Sequence, residues 1–267
     1  MLLWQTSQTI NFAQGEFVML PAFFVLAAMR FGELSFATSL VIGFAVSVLV
    51  LGVLFKQLVV DPILRHGVLP LVISTLGLAI LMKEGVKEFY AAEAQSFPGV
   101  WPTTNLTIGG AVISAQSLVI IAVAVVVVGA LQYFLHATRT GRQMQATAQN
   151  PMLARVLGIP VERMILYTFL VNAALVALAS FLVSPIYLAK FTNGELLGLA
   201  AFVAAIVGGF NQVRGAIVGG LLLGIADNLV AAYWSSQYRA AIPLFLLIVV
   251  ILWRPQGLLG RAEERTV

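Results

Sequence analysis

Polar positions are sparse along this chain, and the gaps between charged residues are its main pattern. A helix needs about 20 mostly apolar residues to cross the hydrocarbon core of a bilayer. Residues 34–55 and 164–189 carry no charge, nor do 94–135, whose apolar core is 116–135. These predict three full spans. Residues 17–29, 68–82, 196–210 and 240–253 are shorter apolar stretches, each completed by uncharged flanks or forming a half-helix inside a bundle. Residues 216–234 are long enough to span but contain Asp227. Eight segments, some short or broken, predict an all-α fold: a polytopic transmembrane helical bundle of about 7–8 membrane segments, read as one domain over residues 1–267.

Composition agrees. Of 267 residues, 60% are hydrophobic and 10% charged, whereas a soluble domain carries about 25% charged residues. A soluble enzyme and a disordered chain are excluded. The absence of Cys removes disulfides, thiolate metal sites, iron–sulfur clusters and a thiol nucleophile. The sequence has two histidines, His66 and His136, and no metal ligand set is expected.

Charge placement predicts orientation. The connector 136–163 holds Arg139, Arg142, Arg155 and Arg163 against Glu162 alone, whereas 83–112 holds Lys83 and Lys87 against Glu84, Glu88 and Glu93. The first is expected to be cytoplasmic and the second external. Alternation then places 56–67, 211–215 and the tail with Arg254, Arg261 and Arg265 inside, and 190–195 outside. Arg30 and Arg239 are the outside exceptions. Residues 1–16 lack the basic start and small-residue cleavage site of a secretory leader.

In an apolar protein the informative residues are polar ones that cannot avoid the membrane. The run Thr6 to Glu16 places Asn11, Gln14, Gly15 and Glu16 directly before an apolar stretch. One reading is a substrate path or gate at a helix break; the other, which the spacing favours, is an interfacial helix start capped by Asn11, with Glu16 in its first turn. Phe191-Thr-Asn-Gly-Glu195 faintly echoes this run. Asp227 is a buried polar residue, expected to hydrogen-bond a neighbouring helix rather than to carry ions. No second acid, His or Lys stands at helical spacing from it.

Gly208, Gly209, Gly215, Gly219, Gly220 and Gly224 cluster where close helix packing is expected, two pairs at G-x-x-x-G spacing. In the basic loop, 141–150 reads as an amphipathic stretch. Pro151 starts a second short helix and Gly158-Ile-Pro160 ends it. Helix–breaker–helix order with little Lys favours docking of a soluble partner over rest on anionic lipid. The chain has no phosphate-cradling loop and no catalytic motif, so no catalytic residue is named, no enzyme activity is expected and no nucleic-acid partner is implied.

Asn11-Phe-Ala-Gln-Gly-Glu16 resembles the Asn-Phe-Ala-His/Gln-Gly-Glu signature of permease subunits in branched-chain amino acid ABC importers. Gly141-Arg-x-x-x-Ala146 through Asn150 to Gly158-Ile159 resembles that family's cytoplasmic loop. Residues 201–209 and 215–220 resemble its glycine-rich C-terminal block. The similarity runs from about residue 3 to residue 260. Two departures stand out. Members usually carry a hydrophobic helix before the Asn-Phe-Ala motif, which is expected to be missing from this sequence, and Asn211 replaces a frequent glycine.

The resemblance implies a multi-pass subunit of a bacterial-type inner membrane with a cytoplasmic C-terminus. It implies a second homologous permease, two cytoplasmic ATPases that hold ATP and magnesium, and an external solute-binding protein; this chain itself would bind no cofactor. Arg142, Gln149, Asn150, Arg155, Gly158 and Ile159 would belong to the ATPase coupling loop. The implied solute is leucine, isoleucine or valine. Alternatives are urea, short amides or small carboxylates as solutes, or a stand-alone channel or ion-coupled transporter using Asp227 and Glu16.

Overall fold

The computed structural model describes residues 11–90, 92–99, 105–108, 111–209 and 212–260. Thr6 to Ile10, Asn211, Arg261 and Arg265 lie outside them. The helices are α1 (Gln14–Gly32), α2 (Phe36–Leu64), α3 (Val68–Tyr90), α4 (Ala115–Ala137), α5 (Arg139–Gln149), α6 (Pro151–Val156), α7 (Val161–Tyr187), α8 (Asn193–Gly208), α9 (Val213–Tyr233) and α10 (Ala241–Trp253). Six of these, α1 to α4, α7 and α9, are long and apolar enough to cross a membrane; α8 and α10 are shorter apolar helices. All eight segments expected from the sequence are helical. One antiparallel hairpin, Asn105–Ile108 paired with Ala111–Ser114, interrupts the all-helical pattern in the connector before α4.

The chain divides into two compact units, Leu2–Gly194 and Glu195–Val267 with Met1. In the first, α1, α2 and α7 share a buried core that includes Phe17, Leu51, Phe55, Phe169, Ala173 and Ala177. The rings of Phe17 and Phe55 meet edge to face at 4.8 Å, and Phe55 lies 5.9 Å from Phe169. Helix α2 packs on α1 through Ser39, Gly43 and Ser47, three small buried residues at four-residue spacing. A Cβ at Gly43 would press on Val25, which is how the two backbones come close.

The expected loop at 56–67 is mostly helix instead. Helix α2 continues to Leu64, with a π-helical stretch that leaves Lys56 buried and paired to Asp61 at 2.7 Å. The wider π turn lays Gly52 on Leu170 and Ala173 of α7.

The basic loop and the acid-bearing connector lie at opposite ends of this unit. Gln95 pairs its backbone with Ala189, and Gln116 at the start of α4 donates to the Leu182 carbonyl near the end of α7. At the other end, α5 turns back sharply on α4. Gly141 sits against the backbone of Phe134 and Leu135, where a Cβ has no room.

In the second unit, Val203, Ala204, Val207 and Leu223 form the core, with Leu246, Leu247, Val250 and Leu258 packed on it. The glycines divide sharply by role. Cβ atoms at Gly208, Gly215 and Gly219 would run into the backbone of the facing helix, whereas among the described residues no neighbouring element lies within 4 Å of one at Gly220 or Gly224. Gly209, at φ 117°, ends α8, and the segment after α10 covers its last carbonyls: Leu258 N–H donates to Val207 and Leu259 N–H to Gly208.

Gly219→Val is therefore expected to lower the melting temperature of the detergent-solubilised chain, read by tryptophan fluorescence, because overpacking a close contact costs about 1–3 kcal/mol. Gly220→Val is expected to leave it nearly unchanged.

Candidate functional site: a helix start in the middle of the bundle

The polar run that opens the described chain sits deep in the first unit. Gln14, the first residue of α1, forms a reciprocal amide pair with Asn172 of α7: each side-chain N–H₂ donates to the other's carbonyl at 3.2 Å. Asn172 is 11 residues from Val161 and 15 from Tyr187, the ends of α7, so at 1.5 Å per residue it lies roughly 16 and 22 Å from them. The Phe12 N–H donates to Thr75 Oγ1, which lies similarly inside α3. Helix α1 thus begins near mid-depth of its neighbours.

This placement corrects the reading of Asn11 as an interfacial cap. The cap position is Ala13, with no side-chain bond. Asn11 closes a turn one step earlier, its Oδ1 accepting the Ala13 N–H at 3.0 Å, and its amide also points at Gln14 Oε1, 3.5 Å away. Helix α1 then runs parallel to α7 in a fixed register. Ala22 N–H, next to Pro21 within the helix, donates to Ser180 Oγ at 3.2 Å, with the same offset of 158 residues as the Gln14–Asn172 pair.

Glu16 takes a different direction. It is 6% exposed, and its carboxylate covers Gly194, where a Cβ would overlap it. Side chains two residues apart on a helix do not share a face, so Gln14 meets α7 while Glu16 meets the segment that returns from it. That segment is held unusually: Leu188 has φ 62°, and its carbonyl accepts from Asn193 Nδ2 at 2.6 Å. The resemblance between residues 11–16 and 191–195 thus has a spatial counterpart at Glu16 and Gly194.

At the basic end, Asn150 Oδ1 caps α6, accepting from Met152 and Leu153 N–H at 3.0 Å, with Pro151 in the first turn. Gly158, at φ 76°, ends the helix, and Ile159 N–H returns to the Ala154 carbonyl. Helix α5 buries Gly141, Met144 and Thr147, and leaves Arg142 and Gln149 exposed. Helix α6 buries Ala154 but exposes Met152, Leu153, Val156 and Leu157 by 59–79%. Arg155 pairs with Glu162 at 3.0 Å.

Asp227, on α9, is bound bidentately by Arg239 from the 3₁₀ turn Ser236–Ala240, its shortest contact 2.6 Å. The residue expected to bond a neighbouring helix bonds an arginine beyond its own helix end, and the same pair neutralises the charge exception at Arg239. Among the described residues no group of three or more His, Asp or Glu side chains is placed to hold a metal.

The sequence matches the family described as branched-chain amino acid transport system, permease component, over residues 1–251. The chain belongs to that family. It is 33% identical to the high-affinity branched-chain amino acid transport system permease protein BraD of Pseudomonas aeruginosa, covering 97% of this chain and 88% of the relative. It is 32% identical to the corresponding protein LivH of Escherichia coli over the same shares. A fructose import permease protein, FruG of Bifidobacterium longum, is 39% identical over 51% of this chain and 42% of its own length. No solved structure matches. The protein is accordingly a multi-pass membrane transport subunit and not an enzyme.

Asp227→Asn and Arg239→Gln are each expected to lower the melting temperature modestly. A double-mutant cycle should return a coupling of about 1 kcal/mol or less, since Arg239 is partly exposed.

Proposed function

We propose that this chain is the membrane subunit of an ATP-driven importer for leucine, isoleucine and valine, lying in a bacterial-type inner membrane. It would pair with a second permease, two cytoplasmic ATPases and an external solute-binding protein. The observation that carries the ATPase assignment is the α5–α6 loop. It stands at the arginine-rich end of the bundle, beyond the membrane-length helices, yet α6 turns four large apolar side chains outward. Apolar surface in a water-facing loop calls for a protein partner, and arginines at that end favour the cytoplasm. By the same charge rule, the arginines of the C-terminal sequence favour a cytoplasmic C-terminus.

The assignment of solute rests on BraD and LivH, whose names give branched-chain amino acids. The partial match to FruG supports the view that related membrane subunits serve other solutes, so specificity falls largely to the external binding protein. The ion-coupled alternative loses its main residue, because Asp227 is already bound by Arg239. ATP binding and hydrolysis by the partners would shift the helices between inward- and outward-open packings by favouring one over the other.

The test is uptake of labelled leucine into proteoliposomes holding the four membrane and ATPase subunits with the binding protein. ATP-dependent uptake competed by isoleucine and valine, but not by fructose or urea, is expected. Uptake that proceeds without ATP would overturn the reading. Leu153→Ser with Val156→Ser should reduce ATPase co-purification at least about tenfold, as loss of a buried apolar anchor does, while leaving membrane insertion intact. Undiminished co-purification would remove the docking role of α6.

A further inference from the structure

The sequence groups Gln14 with Glu16, but the geometry joins Gln14 to Asn172, a residue that no motif marks. An amide side chain carries two N–H donors and a carbonyl with two lone pairs. The reciprocal pair uses one N–H and one lone pair of each partner, and the longer contact from Asn11 takes the second lone pair of Gln14. One N–H of Gln14, one N–H of Asn172 and one lone pair of the Asn172 carbonyl therefore have no partner among the described residues. Both side chains are half-buried, so their outer edge is open although they lie near the middle of an apolar bundle. Leaving donors unmet in such a place is costly.

We propose that the Gln14–Asn172 amide pair reads the polar end of the solute. The two spare N–H groups match a carboxylate, which accepts two hydrogen bonds, and the spare Asn172 lone pair matches an ammonium group. Together they fit the head group of a zwitterionic amino acid, and parting of the pair frees one further donor and acceptor on each side. Thr75 holds the backbone of Phe12 and so fixes where Gln14 begins; it acts as a positioning residue. The proposal rests on the importer reading for amino acids and names the residues of the membrane subunit that contact the solute.

The test is equilibrium binding of labelled leucine to the ATP-free permease–ATPase complex without the binding protein, so that the permease alone is read. Leucinamide, which lacks the carboxylate, and 4-methylpentanoate, which lacks the ammonium, serve as competitors. Asn172→Asp keeps the shape, still accepts from Gln14, and replaces the donor facing the carboxylate. It is expected to weaken leucine binding at least about tenfold, the usual loss when a hydrogen bond to a charged group is removed, and to weaken leucinamide binding much less. The exchanged pair, Gln14→Asn with Asn172→Gln, should recover most of the leucine affinity. Leucine affinity within about twofold of the parent in both Asn172→Asp and Asn172→Leu would overturn the proposal. So would the absence of saturable leucine binding to a parent complex that imports leucine with ATP and the binding protein. A parent complex that imports no leucine under those conditions overturns the importer reading instead.

Discussion

Inside a bilayer a backbone N–H or C=O that loses its helical partner has no water to replace it, and this chain interrupts its helices at several depths. Three of these places are met by a polar side chain from another helix. At the start of α1, the Phe12 N–H reaches Thr75 of α3. Beside Pro21, the Ala22 N–H reaches Ser180 of α7. Near Pro185, the Leu182 carbonyl is reached by Gln116 of α4. These contacts explain why scattered hydroxyls and amides occur in segments that otherwise look uniformly apolar. They also fix which helices are neighbours, because a polar partner inside hydrocarbon is not easily exchanged for another.

The charges follow a related economy. Two of the charges that enter membrane-length helices have a close partner: Lys56 pairs with Asp61, and Asp227 with Arg239. A desolvated charge without its partner would cost several kcal/mol, so neither pair is a free ionic group available to carry cations. At the basic end, exposed Arg142 and Arg155 accompany an apolar α6 surface. Structural charge and partner-facing charge are thus separated along the chain.

Much of this was legible in the sequence. Uncharged runs located the eight apolar helices, and Asn150-Pro151 with Gly158 marked both ends of α6, since caps and turns are decided by residues close in sequence. What could not be read were contacts between segments far apart. Asn172 is one amide within an uncharged run of 26 residues, 164–189, and nothing local says that it faces residue 14. Ser39, Gly43 and Ser47 pack α2 on α1 without a G-x-x-x-G signature, whereas Gly220 and Gly224 have that spacing and a Cβ at either would meet no other helix among the described residues. Small residues permit close approach; the fold decides where it occurs. The depth of Asn11 was misjudged for the same reason, because the same polar run suits an interface or a break within a bundle.

The position of α7 gives the proposed mechanism a physical route. Helix α6 joins α7 through the short Gly158–Pro160 turn, and Asn172 lies on that same helix, Val161–Tyr187. Helix α5 is tied at its other end, with Gly141 against the end of α4 and Met144 and Thr147 buried. A force on α6 is therefore poorly absorbed by bending of the loop and is passed to α7 as a body. At the far end of that path, α1 is held by two unlike contacts. The apolar one, around Phe17, Phe55 and Phe169, resists separation because every buried ring atom would lose its neighbours. The amide pair costs only about 1 kcal/mol per bond to exchange for equivalent partners. A small shift of α7 against α1 thus opens the amides before it opens the core, and a solute head group that takes over their hydrogen bonds makes that opening nearly free.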